Sequence, residues 1–217
     1  RLRQRDMNGA FHVPVYFDYI ATFAWALSGA IVGLRKHFDI VGVFVLALLT
    51  SMGGSILRDG VFLQRRPPVL TDLFYLPLIL AATLLAAIFR HRIANLRMID
   101  TLVGTIDAIG TPAFAVVGLQ LALGAGIPLP GVILVGAVSG VGGGVLRDVI
   151  VRDIPFILQP GQFFTPVVLL TCIAFLGLTL GLQVATVPAA WATIALFFIV
   201  RMLTIRYNWH TRPLMPD

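Results

Sequence analysis

Glutamate is absent from this chain, lysine occurs once, at Lys36, and cysteine once, at Cys172. A lone cysteine excludes an internal disulfide, and its apolar neighbours point to packing. Charged residues make up only 12% of 217 positions, about half the share found in soluble domains. Long stretches have no charge at all. Residues 40–57, 73–89, 108–146 and 154–200 contain no Asp, Lys or Arg, and the last two are each long enough for two bilayer crossings. With 58% hydrophobic residues, the composition is that of a polytopic membrane protein, not a soluble one. The net charge of +6 arises from arginines in short segments between apolar runs, which orients helices in a membrane and calls for no nucleic acid. His12, His37, His91 and His210 lie near the ends of the runs and form no metal motif. With no catalytic constellation, an enzyme is not expected and no cofactor is implied.

Seven helical crossings are expected in one transmembrane domain, at about 19–34, 40–63, 73–89, 106–123, 132–151, 163–182 and 188–205. Helices are required because backbone polar groups in lipid must pair internally, and these runs are too long for barrel strands. The first run reads as a span and not as a cleavable leader, since the polar stretch before it lacks a signal pattern. Arg90 to Arg97 reads as a basic connector, and Gln159-Pro160-Gly161-Gln162 as a break. Arg1, Arg3, Arg5, Arg58, Arg65 and Arg66 fall on the N-terminal side of the membrane in this plan. Arg35, Lys36, Arg90, Arg92, Arg97, Arg147, Arg152, Arg201, Arg206 and Arg212 fall on the other. The larger basic count places the C-terminus in the cytoplasm and the N-terminus outside.

Gly53-Gly54-Ser55-Ile56-Leu57-Arg58-Asp59 returns as Gly142-Gly143-Gly144-Val145-Leu146-Arg147-Asp148, 89 positions later. At that offset, residues 18–59 match residues 107–148 at 14 of 42 positions, including Asp18/Asp107 and Thr22/Thr111. Unrelated apolar sequences agree at roughly a tenth of positions, so the chain holds an internal repeat. Repeat one spans about 17–90 and repeat two about 106–182, with an unpaired seventh helix at about 188–206. Each repeat has three crossings, an odd number, so the second lies inverted, as in many transport proteins.

Isolated glycines in membrane helices commonly allow close helix contact. Consecutive ones remove side-chain support, so Gly53, Gly54 and Ser55, and Gly142, Gly143 and Gly144, are expected to kink their helices near mid-membrane. Arg58 and Arg147 each cost about 2.5–3.5 kcal/mol at mid-membrane without partners. Neighbours on a helix point about 100° apart, so pairing of Arg58 with Asp148 and of Arg147 with Asp59 is considered before pairing with the adjacent Asp. Either a structural ion-pair network or a gate fits these four residues. Asp18 and Asp107 begin their spans as helix caps or as acidic vestibules. Thr22, Ser51, Thr111 and Ser139 can line a path as oxygen ligands or bond their own helix carbonyls.

Two inverted three-helix repeats, each with a glycine run followed by Leu-Arg-Asp, resemble the trimeric intracellular cation (TRIC) channel family, prokaryotic branch. The resemblance covers about residues 17–207. It implies a homotrimer with a pore in each subunit, lined by spans two and five with help from one and four. It also implies conduction of monovalent cations, mainly K⁺ with some Na⁺, in a bacterial plasma membrane. Animal members carry a lysine segment that helps bind phosphoinositide, but Val149-Ile150-Val151-Arg152-Asp153 has no lysine here. Ser55 replaces a third glycine, which implies a shallower first kink. A secondary transporter of a small solute uses the same plan and is the alternative.

Overall fold

The computed structural model describes residues 13–94, 99–159, 163–207 and 209, and all regular structure among them is helical. Eight helices follow in order: α1 Tyr16–Arg35, α2 Ile40–Ser55, α3 Tyr75–Ile88, α4 Arg90–Ala94, α5 Ile99–Gly124, α6 Leu129–Ile150, α7 Phe164–Leu176 and α8 Thr186–Arg206. Two of them widen at their C-terminal ends into π-helix, α2 over Ile56–Phe62 and α7 over Gly177–Gly181.

Local chemistry explains the boundaries. α1 stops where His37 takes a left-handed conformation, φ 59°, and Lys36 N–H returns to Val32 O at 3.0 Å. Asp39 then caps α2 by accepting from Gly42 N–H at 2.7 Å. Gly126, at φ 74°, turns the chain between α5 and α6, where a side chain would be strained. Pro112 is tolerated inside α5, since neighbouring helices can compensate a missing N–H in a membrane protein.

Six helices are long and apolar enough to cross a membrane, counting α2 and α7 with their π-helical ends. The expected third crossing is the 14-residue apolar helix α3. At 1.5 Å per residue it spans about 21 Å, short of the ~30 Å hydrocarbon layer. Two expectations need correction. α5 starts at Ile99, seven residues before the expected 106, because a helix carrying Asp100 and Asp107 extends past the apolar run. The basic connector is partly helical, as α4, while residues 95–98 and the break at 160–162 lie outside the described residues.

α1, α2, α6 and α5 form a closed ring in which each packs along its two neighbours, while α1 and α6 scarcely touch across the middle. α3 covers α1, and α7 and α8 cover α5. In the crossing windows of α1 and α5, 72% of residues are buried, against 44% in α2 and α6, so α1 and α5 sit deepest.

Candidate functional site

The two glycine runs meet face to face where α2 crosses α6. A Cβ on Gly53 would lie 3.0 Å from the Gly142 carbonyl oxygen, and one on Gly142 would lie 3.0 Å from Gly54 Cα. A Cβ on Gly54 would collide with the Ser139 carbonyl oxygen, and one on Gly143 with the Thr50 carbonyl oxygen. Only glycine fits at 54 and 143, and at 53 and 142 the facing backbone would have to give way for a larger residue. Gly142–Gly144 lie within the continuous helix α6, while Gly53–Ser55 complete α2 directly before it widens into π-helix. The facing backbone takes the place of the missing side chains, so the runs serve close packing. Ser55 bonds Met52 O at 2.9 Å, and the departure from α-helix begins after it, at Ile56.

That wider turn carries the first charge centre. Arg58 is fully buried and grips the adjacent Asp59 with two bonds, Nη2 to Oδ2 at 2.6 Å and Nε to Oδ1 at 3.0 Å. Its Nη1 reaches Asp18 Oδ1 at 3.2 Å, and Asp18 also accepts from the Tyr75 hydroxyl. Arg65 Nε closes the group on Asp59 Oδ1 at 2.8 Å. Beside it, Tyr19 OH donates to Asp72 Oδ2 at 2.5 Å, tying the 63–74 loop to α1. That bond, helped by the Phe74 N–H, holds the half-buried Asp72 carboxyl below its ordinary pKa. The tie is therefore complete above the ordinary carboxylate range and is lost as pH falls through the depressed value.

The second centre repeats the plan 89 residues on. Arg147 Nη1 donates to Asp107 Oδ2 at 2.9 Å and to Ser28 Oγ at 2.5 Å, while Nε binds the adjacent Asp148 Oδ1 at 2.9 Å. The Ser28 hydroxyl donates to Asp107 Oδ1 at 2.6 Å, and Asp148 Oδ2 accepts from Phe156 N–H at 3.0 Å. Each arginine thus binds its neighbour and an Asp of its own repeat, not the other repeat's motif as considered above. The long guanidinium arm can fold back across the 100° between neighbours to make the charge-assisted bonds. Asp18 and Asp107 are not helix caps: Asp18 lies inside the first turn of α1 and Asp107 well inside α5, where it lines a cavity. Val15 is the N-cap of α1, and both carboxylates bind arginine.

Beyond the second centre lies a cavity of about 550 Å³. It is lined by the half-buried Asp107, by the buried Arg147 and Asp148, and by Arg201 of α8. Arg201 is 1% exposed, with its guanidinium 5.0 Å and 5.1 Å from the Phe156 and Phe164 ring centroids. At the rim, Arg35 pairs with Asp100, and Lys36 Nζ with Asp153 Oδ1 at 2.7 Å. These rim pairs are solvent-exposed, so Lys36→Ala is expected to change the unfolding free energy by less than about 1 kcal/mol, measured by thermal denaturation in detergent.

The hydroxyls are divided. Ser51 bonds Leu48 O within its own helix at 2.9 Å, whereas Ser139 reaches across to Phe114 O at 2.9 Å. The repeat counterpart of Ser139 is Thr50, not Ser51, and Thr50 bonds Leu46 O at 2.6 Å. Thr22 and Thr111 are buried, and Thr111 Oγ1 has no partner among the described residues. His37 forms the turn after α1 and His91 lies in α4, while His12 and His210 lie outside the described residues. Reading the sequence missed Ser28, Tyr19, Asp72, Tyr75, Trp25 and Arg201. Of these, only Arg201 carried a signal, as a charge inside an otherwise apolar span.

A ring of crossing helices with paired, buried Arg–Asp centres at corresponding positions of a repeat defines a multi-pass helical membrane protein. The chain belongs to the family described as Glycine transporter, whose profile matches residues 15–91 and 104–182, segments that begin 89 positions apart. It is 38% identical over 143 residues to a UPF0126 membrane protein of Deinococcus radiodurans. That match covers 66% of this chain and 65% of the relative. The resemblance to prokaryotic TRIC proteins extends to solved structures. One, from work on conductance through TRIC cation channels, superposes with a TM-score of 0.80 at 29% identity, covering 95% of this chain and 99% of the other. The TRIC orthologue from Rhodobacter sphaeroides gives 0.81 at 25% identity, covering 89% and 97%.

Proposed function

We propose that this protein is a homotrimeric channel for monovalent cations, mainly K⁺, with a separate path in each subunit. The observation that carries the reading is the likeness to a TRIC cation channel along 95% of the chain. The charge balance supports it. Each buried arginine faces two aspartates, Arg58 with Asp18 and Asp59, Arg147 with Asp107 and Asp148. A lone arginine would repel a cation, whereas carboxylates that match the arginines, with Arg65 also on Asp59 and Arg201 near Asp107, remove that barrier. The path runs inside the ring of α1, α2, α5 and α6, with the 550 Å³ cavity as one mouth. In this reading α1–α3 and α5–α7 are inverted repeats, α8 stands alone, and the trimer sits among lipids of a bacterial plasma membrane. Setting aside the buried Arg58, Arg147 and Arg201, the basic residues still favour a cytoplasmic C-terminus and an outer N-terminus.

A second reading, a secondary transporter of a small solute, is favoured by the description of the family as Glycine transporter. Planar-bilayer recording in asymmetric KCl separates the two. Unitary steps that reverse near the K⁺ equilibrium potential are expected from the channel. Saturable glycine uptake into proteoliposomes, with no K⁺ steps, would establish the transporter. Mass measurement in mild detergent, corrected for bound detergent, is expected to return three chains; a monomer there and in nanodiscs would count against the assembly.

A further inference from the structure

We propose that Trp25 is the plug of the path on the cavity side, so that cations pass only when its indole leaves its seat; this rests on the channel reading. Trp25 lies about one turn of α1 from Ser28, and so one layer behind the Arg147–Asp107 pair that lines the cavity. It is 1% exposed, and its ring rests on three residues without side chains. Added Cβ atoms would lie 2.9 Å from the indole at Gly110, 3.1 Å at Gly143 and 2.9 Å at Gly144. The indole thereby links α1 to both α5 and α6, on the inner side of the ring. Arg147 stands over it, with Cζ 5.8 Å from the ring centroid, so the charge centre and the plug hold each other in place.

The seat is not an ordinary core position. The indole Nε1 is buried with no acceptor among the described residues, a costly arrangement that buried indoles usually avoid. Packing and Arg147 hold the ring there, while its polar atom gains nothing. Rotation toward the cavity would bring that N–H to water, and any loosening of Arg147 would favour it. The repeat counterpart of Trp25 is Phe114, fully buried and 3.5 Å from the position of a Cβ on Gly54, on the other glycine run. A phenyl ring has no polar atom to satisfy, so Phe114 forms a fixed apolar layer while Trp25 moves.

The test compares the parent with Trp25→Ala, and with Trp25→Leu should the first variant fail to fold, each checked for a monodisperse assembly. K⁺ efflux from proteoliposomes is expected to rise by on the order of tenfold as the closed–open balance shifts. Leu203→Ala, a partly exposed residue of α8 away from Trp25, serves as the control and is expected to match the parent. A second readout is thiol modification at Thr111→Cys in a Cys172→Ala background, since Thr111 adjoins Gly110 behind the plug. Modification by a small cationic reagent is expected to be fast with Trp25→Ala and slow with Trp25 intact. If the parent conducts and neither readout changes, the plug is wrong and the channel stands. Faster modification without K⁺ flux in any variant would leave Trp25 as a barrier to small solutes only, overturning the cation plug together with the channel reading. No flux and no change in modification would overturn both.

Discussion

Gly143→Ala is expected to destabilise the protein by about 1–3 kcal/mol, the usual cost of forcing a methyl group into a packed interior. The new methyl would meet the Thr50 carbonyl oxygen and the Trp25 ring, and a backbone carbonyl in a helix cannot turn aside. Gly54→Ala meets the Ser139 carbonyl in the same way and is expected to cost a similar amount. Gly177→Ala is the internal control. Its position has open space around it, and alanine favours a helix over glycine by roughly 0.8–1 kcal/mol, so its effect has the opposite sign. Gly143→Leu should therefore disrupt the α2–α6 crossing before it alters the course of α6. Melting in detergent, followed by loss of the monodisperse peak, decides the matter. Equal melting temperatures for Gly143→Ala and Gly177→Ala would show that the backbones do not meet.

Removing one arginine should cost still more. Arg58→Met strips the sole fully buried cation from Asp18 and Asp59 among the described residues, leaving two carboxylates gathered in the interior with Arg65 bound to one of them. Breaking a buried pair by removing one partner costs roughly 3–5 kcal/mol, mostly because the other charge is left uncompensated. Arg147→Met is expected to behave likewise through Asp107 and Asp148. Neutralising the whole group, as in Arg147→Met/Asp107→Asn/Asp148→Asn, should recover most of the lost stability, because no unpaired charge then remains. A triple variant less stable than the single one would show that the aspartates hold the fold by other means.

The sequence revealed the apolar runs, the repeat and the Arg-Asp motifs, because each is a property of neighbouring residues or of a fixed spacing. It did not reveal what the glycine runs face. A run of glycines reads as weakness along one helix, and only the Ser139 and Thr50 carbonyls opposite turn it into a contact. Tyr75 and Ser28 were equally hidden, since their partners Asp18 and Asp107 are brought to them by packing between helices. Two misreadings were avoidable. The 89-residue offset leads from Ser139 to Thr50 by arithmetic, and Arg201 lies within a span that runs on to Arg206. The pairing of each arginine with its adjacent aspartate depended on side-chain reach, which ideal helix angles leave out.

The crossing of α2 and α6 has a mechanical consequence. Most helix pairs interlock through side chains, so sliding one past the other requires knobs to leave their holes. Where Gly53 and Gly54 face Gly142 and Gly143, the glycines supply no knobs of their own, and from the facing helix only the flexible ends of Leu57 and Leu146 reach onto them. The contact loses little rotamer freedom when it forms and asks for little when it shifts. Two smooth backbones make a bearing, able to carry load across the membrane while offering little friction along it.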